Sequence, residues 1–156
     1  MKRSGLPVFV QLDGRPVILI GPETGDAAAA EAKRRLLERA GAVVVGEEAD
    51  ARLAIIACDD PDPVAVRLKA RAILVNVADR PDLCDFTLPA IVERDPVTIA
   101  IGTGGASAGL AAALRQRLEA LLPGSLGRVA QGLHRNPDAI RARWSEPGER
   151  RRAIGA

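Results

Sequence analysis

Aromatic residues are scarce in this sequence, which contains no tyrosine, two phenylalanines and one tryptophan. Proteins that bind single-stranded nucleic acid stack bases on aromatic side chains, so we do not expect this class. The chain also has one histidine, His134, and two cysteines, Cys58 and Cys84. These residues form no Ser-His-Asp, His-Glu-x-x-His or Cys-His zinc arrangement. Two cysteines are also too few for a disulfide framework, which favours a reducing compartment.

An excess of one charge and long apolar runs are lacking as well. Lysine and arginine total 22 and aspartate and glutamate total 20, so the net charge of +2 gives no strong field for nucleic acid. The apolar stretch Leu6–Val10 is too short for a signal peptide, and no later window is long enough to span a membrane. With 156 residues, 47% of them hydrophobic, the chain can bury a core. We expect a soluble cytoplasmic protein without a nucleic-acid or membrane partner.

Short apolar runs alternate with helical segments in the first half of the chain. The run Pro16–Ile20 lies between Asp13-Gly14 and Gly21-Pro22 and is typical of a strand buried on both faces. The pattern then predicts a helix over 26–40, strands at 43–45 and 53–57, a helix over 63–71 and a strand at 72–77. This order is typical of an open, mainly parallel, Rossmann-like α/β sheet with helices on both faces.

The second half begins with two predicted strands and continues with helices. The strands are expected at Phe86–Val92 and Val97–Ile101, with a turn between them. Ser107 is a candidate N-cap for a helix that ends at Leu122, before Pro123-Gly124. Further helices are expected over 125–133, from 137 and from 145. Each has one apolar stripe, so we expect residues 106–156 to pack on a twin subunit.

A glycine-containing turn follows the first strand, at Gly21-Pro22-Glu23-Thr24-Gly25-Asp26. Such a turn between strand and helix lets the backbone approach a pyrophosphate, which the helix N-terminus then stabilises. Gly21, Thr24, Gly25 and Asp26 are therefore candidate nucleotide ligands. The turn does not form the G-x-G-x-x-G pattern, so a long loop in which Asp26 caps the helix is an equal alternative.

Carboxylates follow two of the predicted strands. Glu47, with Glu48 beside it, comes after the second strand, where an acid binds the adenosine ribose and favours NAD over NADP. A solvated loop carboxylate is the alternative. Asp79 follows the strand that contains Asn76, at the edge where open α/β sheets bind ligands. There a carboxylate can transfer protons or hold a metal ion, or it can be an ordinary turn residue.

The segment Thr103-Gly104-Gly105-Ala106-Ser107 combines small residues, hydroxyl groups and the amides of a helix start. Such a segment can bind substrate carboxylates or phosphate. A strand-to-helix turn in which Ser107 is only the cap explains the same residues equally well.

In this order the segments resemble the N-terminal module of siroheme synthase, the precorrin-2 dehydrogenase and sirohydrochlorin ferrochelatase family. The segments that carry the resemblance are Leu6-Pro7-Val8-Phe9, 17–21, 32–42, 54–60, Asn76-Val77-Ala78-Asp79, Phe86-Thr87-Leu88-Pro89-Ala90, Gly104-Gly105-Ala106-Ser107, 121–127 and 148–152. The sequence departs from the family at the 21–26 turn, and between Gly46 and Leu53, where the family carries an additional helix and strand.

The resemblance implies an NAD-dependent oxidation of precorrin-2 to sirohydrochlorin, with iron insertion, in which Fe²⁺ is a substrate, as a further activity. It implies that Asp79 is the catalytic aspartate and a transient metal ligand together with the tetrapyrrole. It implies that Asn76, Thr103, Gly104, Gly105 and Ser107 contact the tetrapyrrole, and that the protein is a homodimer. Residues 1–80 would then be the Rossmann-like NAD-binding domain, 81–105 linking strands and 106–156 a helical dimerisation segment.

Two alternatives remain open from the sequence. One is a chelatase-only or non-catalytic dimeric tetrapyrrole-binding relative that has lost the NAD site. The other is a regulatory nucleotide sensor that binds NAD without a tetrapyrrole.

Overall fold

The computed structural model describes residues 5–22 and 27–155. It divides the chain into two compact units, one up to Leu88 and one from Pro89 onward. No helix of the described residues is both long enough and apolar enough to cross a membrane.

The described residues of the first unit form four parallel strands and two helices. Its elements are β1 (Pro16–Ile20), α1 (Ala28–Arg39), β2 (Val43–Val45), β3 (Leu53–Ile56), α2 (Pro61–Ala70) and β4 (Leu74–Val77). The strand order is β2-β1-β3-β4, and every pair is parallel. The Rossmann-like α/β class predicted from the sequence is thus confirmed.

The two central strands are buried on both faces, as their continuous apolar sequences predict. Side chains alternate between the faces of a strand, so Ile18 and Ile56 pack in one cluster with Leu68 of α2. Val17 and Ile55 point to the opposite face and pack in a second cluster with Leu37 of α1. The two helices therefore cover opposite faces of the same sheet.

The connection from β2 to β3 is short for a parallel crossover, which usually needs a dozen residues or more. The register explains how residues 46–52 suffice. Val45, the last residue of β2, is level with Ile18, and Leu53, the first residue of β3, is level with Val17. The connection must therefore move sideways by two strand spacings, roughly 10 Å, with almost no return along the strands.

Arg71, the residue after α2, holds this crossover against the sheet. Ala51 of the crossover is buried in the cluster on the α2 face. The guanidinium of Arg71 donates to the backbone carbonyls of Glu47 and Ala49. These bonds satisfy carbonyl groups that a crossover helix would otherwise pair internally.

The outer edge of β4 is covered by the segment that follows it. Val75 donates its backbone N–H to Oδ2 of Asp85 at 3.0 Å, and Asp85 donates its own N–H to the carbonyl of Val75 at 2.8 Å. The backbone N–H of Val77 donates to Sγ of Cys84 at 3.1 Å. The strand predicted at 86–92 begins later, at Ala90, because the side chain of Asn76 in β4 donates a hydrogen bond to the carbonyl of Phe86.

The second unit contains a β-hairpin and four helices. Its elements are β5 (Ala90–Arg94), β6 (Val97–Ile101), α3 (Ala108–Leu121), α4 (Leu126–Arg135), α5 (Pro137–Arg143) and α6 (Pro147–Gly155). Arg94 of β5 donates to the carbonyls of Glu119 and Leu122 and so satisfies the C-terminal end of α3. A Cβ atom on Gly127 would lie 2.6 Å from the carbonyl oxygen of Arg94, which shows how closely α4 approaches the hairpin.

Little apolar surface is buried inside the second unit. Among the described residues from Pro89 onward, Val92 is the one apolar side chain that is fully buried. Leu110, Leu114 and Leu121 lie on one face of α3, and their side chains are 51%, 37% and 76% exposed. We call these three residues the α3 leucine stripe.

Candidate functional site

The carboxyl ends of the strands bring three loop segments to one edge of the sheet. β1 leads to β2 on one side, and β3, on its other side, leads to β4, so the chain changes direction between β1 and β3. Ligands of open α/β sheets bind at such a switch point. The ladder continues beyond the strands, because Ala57 donates to the carbonyl of Ile20 and Ala78 to that of Ile56. The ends of β1, β3 and β4 are thus held side by side.

Gly21 marks the end of β1 and the start of a small cavity. A Cβ atom at this position would lie 3.1 Å from Cβ of Ala30, so a larger residue would push strand and helix apart by a few tenths of an ångström. The cavity has a volume of about 180 Å³ and is lined by Leu19, Gly21, Pro22, Ala27, Ala30, Glu31 and Arg34. Thr24, Gly25 and Asp26, the other candidates in this turn, lie outside the described residues.

The α1 end of this cavity fits a phosphate group in part. Ala27 occupies the N-cap position and has no side-chain acceptor for the first-turn amides. Backbone amides at a helix start, with small residues around them, suit an anion. Glu31 in the first turn adds a negative charge, which Arg34 partly balances at 3.8 Å.

Glu47 is engaged by an arginine of α2. Nε of Arg67 lies 2.8 Å from Oε1 of Glu47, and Nη2 of Arg67 lies 3.1 Å from Oε2. This bidentate hydrogen bonding is the main cause that holds the pKa of Glu47 below its usual value of 4.5. A ribose that bound Glu47 would have to compete with Arg67 for both oxygens, so the ribose role stays a prediction.

Asp79 lies in the turn directly after β4. Its φ angle is +57°, a left-handed conformation that aspartate tolerates better than most residues but that costs about 1 kcal/mol. The turn is closed by a hydrogen bond from the N–H of Arg80 to the carbonyl of Val77 at 3.4 Å. The side chain of Asp79 is exposed, and within the described part of the chain its carboxylate makes no hydrogen bond or ion pair. It is therefore available to a ligand.

Arg80, which sequence reasoning did not single out, forms ion pairs on both sides of this turn. It pairs with Asp62 at the start of α2, at 2.7 Å, and with Asp82, at 2.9 Å. The hydrogen bonds that Arg80 donates to Asp82 and, second, to Asp62 raise the pKa of its guanidinium above its already high value. The adjacent Asp82 was visible in the sequence as a possible partner, but Asp62 comes close only through the fold.

Asn76 is buried beneath the same loop, with 7% of its surface exposed. Its Nδ2 donates to the carbonyl of Phe86 at 3.0 Å and lies 3.6 Å from Sγ of Cys84. The amide thus anchors the segment that covers β4. The predicted contact of Asn76 with substrate remains a prediction.

The small-residue segment at 103–107 belongs to the second unit. Gly104 and Gly105 have φ angles of +62° and +82°, and a Cβ atom on either would meet open space. Thr103 Oγ1 donates to the carbonyl of Ser107 at 3.1 Å and fixes the loop. Ser107 Oγ accepts from the N–H of Leu110 at 3.1 Å, which confirms the predicted N-cap. The hydroxyl of Ser107 keeps its hydrogen for another acceptor.

One segment of the chain, most of it in the first unit, is similar to a known family. Residues 47–90 match a family described as NAD(P)-binding. The matched range contains β3, α2, β4 and the Asp79 turn, and it begins after β1 and Gly21.

Curated relatives are siroheme synthases. The chain is 35% identical to siroheme synthase 3 of Aeromonas hydrophila, in an alignment that covers 94% of this chain and 37% of the relative. It is 34% identical to the siroheme synthase of Methylobacillus flagellatus with the same coverage. It is 43% identical to the siroheme synthase of Nitrosospira multiformis over 67% of this chain and 23% of the relative.

A solved structure shares the fold. "SirC, precorrin-2 dehydrogenase" has a TM-score of 0.68 and 20% sequence identity, and the superposition covers 97% of this chain and 88% of that chain.

The alignment lengths locate this chain within its relatives. The chain spans about a third of the length of the siroheme synthases with which it aligns over most of its residues. The alignment with the Aeromonas hydrophila protein runs over 178 positions, more than the 156 residues of this chain, so that relative contains residues that this chain lacks. From the identity across nearly the whole sequence and the shared Rossmann-like fold, we conclude that the chain belongs to the same family as the segment of the siroheme synthases with which it aligns, a segment that makes up about a third of those proteins.

Proposed function

We propose that this chain is an NAD-dependent precorrin-2 dehydrogenase that forms sirohydrochlorin in siroheme biosynthesis. The observation that carries the proposal is the exposed Asp79 carboxylate, fixed in a turn at the carboxyl end of β4 in a Rossmann-like sheet. The family membership and the NAD(P)-binding match over residues 47–90 support it.

The residues around Gly21 are those that would hold NAD. Gly21 permits close approach to the backbone, and the amides at the start of α1 would bind the pyrophosphate, together with Thr24, Gly25 and Asp26. Glu47 would bind the ribose after exchanging its bond with Arg67. NAD accepts a hydride when it is bound.

Asp79 would act as the proton acceptor of the oxidation. Conversion of precorrin-2 to sirohydrochlorin removes two hydrogens, one as a hydride to NAD and one as a proton. The Asp79 carboxylate carries no competing partner among the described residues, so it can take this proton directly.

The second unit would contribute binding of the substrate carboxylates. The backbone amides of Gly104 and Gly105, two exposed residues with left-handed backbone, and the hydroxyl of Ser107 would form an anion-binding segment at the start of α3. Thr103 would join it only by exchanging its hydrogen bond to the carbonyl of Ser107. Asn76 would act from beneath the Asp79 turn by holding the loop in place.

Two further properties belong to the same proposal. Asp79 would take up protons from sirohydrochlorin while Fe²⁺, as a substrate, enters the macrocycle, which gives a ferrochelatase activity. A homodimer would cover the α3 leucine stripe, because the described residues of the second unit fully bury a single apolar side chain by themselves.

The second candidate function is a chelatase-only or non-catalytic tetrapyrrole-binding protein. The observation that favours it is that Arg67 binds both carboxylate oxygens of Glu47, which the ribose of NAD would need. The residues that the chain lacks relative to the Aeromonas hydrophila protein favour it as well.

The test is the formation of NADH by the purified protein with precorrin-2 and NAD under anaerobic conditions. We expect turnover by the wild type, and a loss of about 100-fold or more in Asp79→Asn, which keeps the left-handed preference but removes the basic carboxylate. Wild type that forms no NADH but inserts iron into sirohydrochlorin would establish the second candidate. Equal turnover by Asp79→Asn would remove Asp79 from the centre of the reaction.

A further inference from the structure

The guanidinium of Arg80 is enclosed by two carboxylates. Nη1 and Nη2 donate to the two carboxylate oxygens of Asp62 at 2.7 and 3.2 Å. Nε and Nη2 donate to the two oxygens of Asp82 at 3.1 and 2.9 Å. Asp62 belongs to the first turn of α2, and Asp82 belongs to the loop after β4. The side chain of Arg80, the residue next to Asp79, therefore links this helix to this loop.

These bonds leave Arg80 little capacity to bind a ligand. An arginine has five N–H donors, and four hydrogen bonds already go to Asp62 and Asp82. Its positive charge is also outnumbered by the two carboxylates. A substrate carboxylate would have to displace at least one of them, so direct substrate binding by Arg80 is disfavoured.

The backbone of Arg80 is held as firmly as its side chain. Its N–H closes the Asp79 turn onto Val77, and its carbonyl accepts from the N–H of Leu83 at 3.1 Å and from Sγ of Cys84 at 3.4 Å. Asp79 itself has a left-handed φ of +57° and no side-chain partner among the described residues. The conformation of Asp79 therefore depends on its neighbours rather than on its own contacts.

We propose that Arg80 is a positioning residue, which fixes the turn that presents the Asp79 carboxylate by clamping it between α2 and the loop after β4. This inference rests on the proposed function, in which Asp79 transfers the proton. If a catalytic carboxylate is displaced by about 1 Å, the rate of the reaction can fall by roughly two orders of magnitude, while other residues still bind the substrate.

Steady-state kinetics with precorrin-2 and NAD test the proposal. For Arg80→Ala we expect kcat to fall about 10- to 100-fold with KM changed less than about threefold, because the clamp touches no substrate. Arg80→Lys keeps the charge but not the bidentate geometry, so it should recover part of kcat. The double variant Asp62→Asn with Asp82→Asn removes the same clamp from the other side and should reproduce the Arg80→Ala effect. This double variant also tests the proposal if the Arg80→Ala protein does not fold.

Lys69→Ala is the matched control. Lys69 also links the α2 region to the loop after β4, through Asp85 at 3.2 Å, but this pair does not reach the Asp79 turn. We expect kcat within about twofold of wild type. A loss in Lys69→Ala equal to that in Arg80→Ala would show that any weakening of the loop has the same effect, and it would overturn the proposal.

A second readout needs no substrate. Hydrogen exchange of the Ala78 and Arg80 amides, which donate to Ile56 and Val77, should be at least tenfold faster in Arg80→Ala than in wild type and unchanged in Lys69→Ala. Unchanged exchange in Arg80→Ala would refute the positioning role.

The two readouts separate this inference from the proposed function. If wild type does not oxidise precorrin-2, the proposed function fails, and the exchange measurement still decides whether Arg80 holds the turn. If Asp79→Asn is inactive while Arg80→Ala retains full kcat, the function stands and the inference about Arg80 is wrong.

Discussion

The two units of the chain bury their apolar residues very differently. The first unit has a parallel sheet covered on both faces, and Ile18, Ala54, Ile56, Leu68 and Val75 are all completely inaccessible to solvent. The second unit has a two-stranded hairpin with helices around it, and Val92 is its one fully buried apolar side chain among the described residues. A two-stranded hairpin is marginal without further packing.

Because of this difference, we expect the two units to depend on different interactions for their stability. The first unit can hold its loops at the carboxyl edge from its own core, which a site with a fixed Asp79 turn requires. The second unit leaves the α3 leucine stripe exposed, and this is the surface that the proposed homodimer would bury. We therefore expect the largest losses of stability from substitutions in the core of the first unit, and effects on assembly from surface substitutions on α3.

The largest effect is expected from a cavity in the first unit. Ile18→Ala removes a side chain with 0% exposure from the cluster on the α2 face and should lower the free energy of unfolding by about 3 kcal/mol. Val66→Ala, at a residue of α2 that is 67% exposed, should change it by less than about 0.5 kcal/mol. Urea denaturation followed by far-ultraviolet circular dichroism measures both. Equal losses of unfolding free energy in the two variants would contradict the difference in burial between Ile18 and Val66.

A smaller effect is expected where the second unit packs most closely. Gly127→Ala places a methyl group against the carbonyls of Arg94 and Asp95, so α4 must shift from the hairpin, at a cost of about 2 kcal/mol. Gly132→Ala in the same helix meets no atom within 4 Å and should stabilise by about 0.5 kcal/mol. The fluorescence of Trp144 during denaturation reports on this unit. A neutral Gly127→Ala would mean that the second unit is loosely packed throughout.

The third prediction concerns assembly through the α3 leucine stripe. Leu114→Glu places a charge in the middle of the stripe and should weaken a homodimer about tenfold or more, since an interface disfavours an unpaired charge. Gln116→Glu adds the same charge on another face of α3 and should leave the dimer intact. Sedimentation velocity across a concentration series measures both. A wild type that remains monomeric at high concentration would refute the dimer.

The smallest effect is a pH dependence in the first unit. Arg67 lowers the pKa of Glu47 below 4.5, so the folded protein gains stability from this pair above about pH 4.5 and loses it as the pH falls through the lowered pKa. Arg67→Ala should therefore be less stable than wild type at pH 6, and the two should converge at the lowest pH. Arg35→Ala, whose pair with Glu31 is at 4.0 Å, should show no such convergence. Thermal melts at several pH values test this.

Local sequence patterns predicted the elements that depend on local chemistry. The strand at Pro16–Ile20 has the predicted bounds because a glycine lies beyond each end, and Ser107 caps α3 because its hydroxyl reaches the N–H of Leu110. β5 begins at Ala90 rather than Phe86, since the carbonyl of Phe86 is taken by the buried amide of Asn76.

Contacts between distant residues could not be read from the sequence. The partner of Glu47 is Arg67, and one partner of Arg80 is Asp62, so both depend on where α2 lies against the sheet. The position of Asp79 after a strand and the likeness to a known family predicted its role, whereas the ion pairs of Arg80 beside it became visible only in the structure.

The most direct measurement of the central claim is calorimetric titration of the purified protein with NAD and with sirohydrochlorin, in separate experiments. The account predicts that both bind, NAD through the β1 and α1 end of the first unit and the tetrapyrrole at a site that includes Asp79. Sirohydrochlorin binding without any NAD binding would contradict the dehydrogenase, and absence of both would contradict the whole assignment.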